Sequence, residues 1–210
     1  MKKLLYIPIV HNKADLGSLG SQLSVEGERK YGVSFWQDHL EQVDKSWDEI
    51  EIEILKLLKN KSFDRIKIYQ DGLPVVGEIG LKIVKDAAEK GSKNYAIIEH
   101  LLTRGAKLEI AENKEFLLEE YCLLSDIGKA ETPEKQLESY LKYQKMSPEL
   151  LNNRDRYIAN QINVSLKTGE MGIAFFGAAH SILDKLNKDI NTIVIQMFKD
   201  DISLNLTKTK

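Results

Sequence analysis

Residues 153–186 read NRDRYIANQINVSLKTGEMGIAFFGAAHSILDKL. Within them the run GIAFF, residues 172–176, carries no charge and ends at Gly177, the pattern of a strand covered on both faces, as in a parallel sheet. A polar-headed helix is expected before it, and a small-residue turn after it, with His180 opening a further helix. Open α/β sheets hold their ligands at the carboxyl ends of strands. Gly177, Ala178 and Ala179 give the backbone room to turn there. In the first turn of a helix the dipole disfavours an imidazolium, so His180 is expected as a neutral base or metal ligand. The plainer alternative is a structural turn with a histidine that does no chemistry.

Working outward, KLLYIPIV at residues 3–10 fits a buried first strand, with Pro8 tolerable near a strand end or edge. His11 falls where that strand stops, and the Gly- and Ser-rich loop after it brings Asp15 and Ser18 to the same rim. Apolar residues at threes and fours predict a helix over 33–59, where His39 reads as a solvated residue. A second strand is expected over 64–69, stopped by Asp71, Gly72 and Pro74. Helices follow over 75–90 and 94–104, closed by Gly91 and Gly105. Glu78 lies in the first turn of the former, favoured there by the dipole, and His100 on the latter reads as structural.

A third strand over 106–111 is expected to turn Leu108 and Ile110 to one side, with Glu112 closing it and Asn113 capping the next helix. From 114 to 167 the pattern is helical with two breaks, at Thr132-Pro133-Glu134 and Ser147-Pro148-Glu149. The chain then returns to the sheet at 172–176 and ends it with TIVIQMF, residues 192–198. Strands alternating with helices predict an α/β fold with a mostly parallel sheet and right-handed crossovers. Four strand ends on one rim would then carry His11, Asp71, Glu112 and His180.

The 210 residues suit one domain spanning 1–210, and 42% hydrophobic with 30% charged residues is a globular composition. Net charge is only -2 with dispersed basic residues, so nucleic acid is not expected as a partner. No run approaches the roughly 20 apolar residues of a membrane span, and the opening MKKLLYIPIV lacks a cleavage site. A cytoplasmic protein is expected, acting on a small molecule or peptide, with a homodimer left open. Cys122 stands alone, which excludes an internal disulfide, and its apolar surroundings suggest a buried thiol.

Two histidines and two or three carboxylates form a set suited to a divalent ion such as zinc, manganese, cobalt or iron, and such a site activates water for hydrolysis. Arg154 could bind a carboxylate or stabilise an oxyanion beside it. Alternatively, Arg154 and Asp155 form a surface pair worth less than about 1 kcal/mol. No phosphate-binding glycine motif follows the first strand, which disfavours a nucleotide binder.

The stretch from RDRYIA, with Arg154 and Asp155, to GAAH, with Gly177 and His180, resembles the C-terminal signature of the TraB/Tiki superfamily, which includes PrgY, ChaN-like and erythromycin-esterase-like proteins. That family opens with a second G-x-x-H at the end of strand one; here PIVH matches at His11, with Pro8 in the glycine's place. The resemblance implies a Rossmann-like sheet with helices on both faces, a large helical insertion before the His180 strand, and a pocket at the strand ends. It also implies either a metal-dependent hydrolase of peptide, amide or ester bonds, or a non-catalytic protein binding haem or metal. On this reading His11, His180, Asp71 and Glu112 are candidate metal ligands, and Arg154, Asp155 and Glu78 are candidate catalytic residues. His11 and His180 are expected to converge on one pocket with Arg154.

Overall fold

The computed structural model describes residues 1–9, 28 and 32–196. Chain order is β1 (Lys2–Ile9), α1 (Val33–Leu57), β2 (Ile66–Gln70), α2 (Gly77–Glu89), α3 (Lys93–Thr103), β3 (Lys107–Leu108), α4 (Lys114–Gly128), α5 (Pro133–Ser165), β4 (Met171–Gly177) and β5 (Ile190–Val194). The five described strands form one sheet in the order β3-β2-β4-β1-β5, every pair parallel. This is the Rossmann-like α/β arrangement, with its central strands buried as the GIAFF run requires.

Side-chain alternation along β1 and β4 builds two cores. Leu5, Ile7, Ile9, Ile173 and Phe175 face one layer, where Val43, Trp47, Ile50 and Ile54 of α1 pack beside residues of α2 and α3. Leu4, Tyr6, Ala174 and Phe176 face the other, against Ile158, Ala159 and Ile162 of α5. The spacing of each helical set at three and four is what turns one stripe to the sheet. Chain travel toward β3 uses the first face and the return to β4 uses the second, as right-handed crossovers demand.

Gly172 sits at a close approach of side chains from both neighbouring strands. A Cβ there would lie 2.6 Å from Leu4 Cδ1 and 3.1 Å from a Tyr69 ring carbon. Pro8 is accommodated because β5 has ended beside it. The Tyr6 carbonyl accepts from Ile195 N on the β5 side, so the position two residues on faces that same side, past the β1–β5 pairing that stops at Val194. A missing N–H costs no ladder bond there.

Several elements depart from the sequence reading. β3 is two residues long and Ile110 is exposed, because this edge strand pairs with β2 alone and then leaves to form the Glu112 bend. The break at Thr132 is real, its hydroxyl accepting from Lys135 N, but α5 runs unbroken through Pro148. Packing of α5 along α4 outweighs the bond that Pro148 cannot donate. No α-helix follows His180: the short passage to the edge strand holds only a 3-10 turn, Leu183–Lys185, pinned by buried Ile182. Cys122 is exposed, since α4 turns Leu123 inward instead. The last strand is Ile190–Val194, and residues 197 and 198 lie outside the described residues. No helix among the described residues is long and apolar enough to cross a membrane.

Candidate metal centre

β2 and β4 are neighbours whose outgoing connections run to opposite edges of the sheet, which makes their carboxyl ends the switch point where open α/β sheets hold ligands. Asp71 follows β2 directly, and its backbone N–H extends the ladder by donating to Phe175 O at 2.9 Å. Glu112 lies just before Asn113, whose side chain caps α4 by accepting from Glu115 N at 2.7 Å and Phe116 N at 3.3 Å. The cap fixes the direction in which the chain leaves Glu112. Arg154 and Asp155 sit one turn before Ile158 and Ala159 on the buried stripe of α5. The apolar residues of that stripe therefore carry both charged groups to the carboxyl ends of the strands.

Arg154 is the hub. Its Nε and Nη2 grip Glu112 bidentately, Nη2 also donates to Asp71 Oδ1 at 2.8 Å, and Nη1 donates to Glu120 Oε2 at 2.5 Å. Its side chain is only 6% exposed, and Asp71 and Glu112 are buried with it. All three guanidinium nitrogens thus serve protein carboxylates. Asp71 Oδ2 in turn accepts from Gly177 N at 2.9 Å, which locks the end of β2 to the end of β4.

His180 lies between two acids. Its Nδ1 is 2.6 Å from Asp155 Oδ1, while Asp155 Oδ2 accepts from Ser181 N at 2.9 Å. Nε2 lies 3.5 Å from Asp71 Oδ2, and the Phe176 ring packs edge-on against the imidazole at 5.7 Å. If Nδ1 carries the proton toward Asp155, a neutral imidazole turns the Nε2 lone pair toward a carboxylate oxygen. Two acceptors facing each other need a proton or a cation between them. Accordingly, although burial pulls the His180 pKa down, Asp71 and Asp155 outweigh it and the pKa is raised. This corrects the expectation of a neutral histidine at a helix N-terminus, because no α-helix begins there.

Asp71, Glu112 and His180 offer ligand atoms that all lie within 4.8 Å of one another, a group that could hold a metal ion. The electrostatics fit a cation. Burial pushes the Glu112 carboxyl up to about 7 even with Arg154 beside it, and the Asp71 charge adds to the rise. Among the described residues, four acids, Asp71, Glu112, Glu120 and Asp155, meet here around Arg154, His180 and Lys185. A divalent ion would be held by Asp71, Glu112 and His180, with Asp155 orienting the imidazole.

A pH dependence follows from two raised pKa values. The folded protein holds extra protons on His180 and Glu112 above the pH at which the unfolded chain releases them. Metal-free protein is therefore expected to lose stability as pH rises from about 5 to 8, by roughly 1–3 kcal/mol. Metal affinity should rise over the same window because the ligands must lose those protons. Urea titrations and metal titrations at pH 5.5, 7 and 8 check both slopes; a metal affinity flat across that range would show that protons do not compete with the ion.

Of the residues singled out from sequence, the structure brings Asp71, Glu112, Arg154, Asp155 and His180 together. Glu78 is exposed in the first turn of α2 and does not join the Arg154 network, since that helix points its buried residues, Gly80 and Val84, the other way. His11, Asp15 and Ser18 lie outside the described residues. His100 is exposed and pairs with Glu51 at 2.9 Å. Glu120 was not legible, because an acid on an amphipathic helix looks like any other solvated residue. No protein-family model, curated protein or solved structure matches this chain.

Proposed function

We propose that the protein is a metal-dependent hydrolase of peptide, amide or ester bonds, centred on Asp71, Glu112 and His180. The observation that carries this reading is the Nε2 of His180 set against Asp71 Oδ2, 3.5 Å away, with Glu112 beside them at a sheet switch point. A divalent ion held there would supply Lewis acidity and lower the pKa of water into the neutral range. Oxygen donors paired with one imidazole suit manganese, iron, zinc or cobalt better than haem, so the hydrolase reading leads over a haem-binding one. The resemblance of the Arg154–His180 stretch to the TraB/Tiki superfamily supports a site here and is shared by both readings.

The chain's own residues have distinct tasks in this reading. Asp155 holds the imidazole in one orientation, and the Gly177 N–H fixes one oxygen of Asp71. Arg154 acts as a positioning residue: its nitrogens are spent on Glu112, Asp71 and Glu120, so it sets the carboxylates rather than gripping substrate. Protein reconstituted with manganese, cobalt or zinc should hydrolyse p-nitrophenyl acetate or simple peptide amides at a rate proportional to bound metal. Chelation should abolish the rate and metal should restore it. Metal-loaded protein inert toward esters, amides and peptides alike would leave a metal-binding protein without this chemistry.

A further inference from the structure

Tyr6 of β1 and Tyr69 of β2 lie on one rung of the sheet, on either side of Ala174 of β4, and both face the α5 layer. Their hydroxyls part company. Tyr69 pairs with Ser165 at 2.7 Å, at the C-terminal end of α5, and Glu109 and Glu170 lie within electrostatic range of it. Tyr6 instead feels Asp155 and Asp71. Asp155 and Ser165 are ten residues apart on α5, about 15 Å along its axis, so the two tyrosines point to opposite ends of the sheet. The Tyr6 hydroxyl is directed to the end that holds His180.

That hydroxyl is fully buried and has no hydrogen-bond partner among the described residues. Tyr6 itself is 4% exposed. A buried O–H left unpaired is destabilising, and phenylalanine would fill the same apolar space without that cost. The neighbouring carboxylates are already committed: Asp155 to His180 and Ser181, and Asp71 to Arg154 and Gly177. Beside Tyr6, the described residues supply no acceptor for its hydroxyl.

We propose that Tyr6 is a substrate-contacting residue, its hydroxyl donating a hydrogen bond to the carbonyl oxygen of an acyl compound bound beside His180 and Asp71. This rests on the metal-centred reading of the site. Burial, with Asp155 and Asp71 adding, pushes the Tyr6 pKa up to about 12, so the group remains a donor throughout the neutral range. Tyr6 is not one of the metal ligands, which separates its role from theirs.

Cobalt-loaded protein titrated with acetohydroxamate, a small carbonyl chelator, tests this through the visible cobalt spectrum. Tyr6→Phe should bind cobalt as the wild type does but acetohydroxamate about tenfold more weakly, while the Tm of the metal-free variant stays level or rises. Tyr69→Phe, which loses a real hydrogen bond to Ser165, should show the reverse: a lower Tm and unchanged acetohydroxamate affinity. Unchanged acetohydroxamate affinity in Tyr6→Phe, or a Tm drop like that of Tyr69→Phe, overturns the assignment and leaves the metal centre standing. Failure of the wild type to bind cobalt at all overturns both.

Discussion

Replacing Arg154 by methionine should destabilise the protein by about 3–5 kcal/mol, because it removes the cation at the centre of a buried ionic cluster and takes the guanidinium partner from Glu112 and Asp71. Asp71 and Glu112 are buried against this guanidinium, and both of its Nη groups and its Nε donate to carboxylates. For a chain of this length the loss corresponds to a fall in Tm of roughly 6–20 °C. Methionine keeps much of the aliphatic volume, so the loss reports charge rather than packing. A divalent ion placed between Asp71, Glu112 and His180 would return part of the missing positive charge. Added manganese or zinc should therefore raise the Tm of Arg154→Met by more than it raises that of the wild type. A change below about 1 kcal/mol would be the behaviour of a surface pair and would refute the hub.

His180→Ala should have the opposite profile, with folding retained and metal binding lost. The backbone around the turn keeps its own ties, since Ser181 N still donates to Asp155, Gly177 N to Asp71, and Ala178 N to Ile9 O. The substitution removes one of three clustered donors and the only imidazole among them. Loss of a residue that merely orients a ligand costs ten- to 100-fold in affinity. Loss of the ligand should therefore cost about 100-fold or more, near 2.7 kcal/mol. Asp155→Asn, which weakens the hold on Nδ1, belongs in the smaller range.

The sequence carried the parts of this site that local chemistry marks. GIAFF with its flanking glycine announced a two-sided strand, and the same run placed His180 at a carboxyl end. QDGLP marked Asp71 because a turn must follow a strand there, and Asn113 marked Glu112 by capping α4. Arg154 and Asp155 stood out only through their motif, since an Arg-Asp pair on a helix has no local sign of burial. Their placement comes from Ile158 and Ile162, one and two turns on, which commit that stripe to the sheet.

Other features depend on distance in space. Two acids converge on the imidazole from separate elements, and this raised the His180 pKa where a presumed helix dipole would have lowered it. Glu120 reaches Arg154 because α4 packs along α5, which no periodicity in either helix specifies. Tyr6 sits in a strand where every neighbour is apolar, and its orientation emerges only from the contrast with Tyr69. Pro148 read as a helix start because it follows Ser147, yet tertiary packing carried α5 through it.

Equilibrium dialysis of chelator-stripped protein against manganese, cobalt and zinc at pH 7.5, followed by elemental analysis, addresses the centre most directly. About one ion per wild-type chain is expected for at least one of these metals, and less than a tenth of that for His180→Ala at the same free concentration. Wild-type protein that retains none of the three, or a His180→Ala variant that retains as much as the wild type, would contradict a metal centre at Asp71, Glu112 and His180.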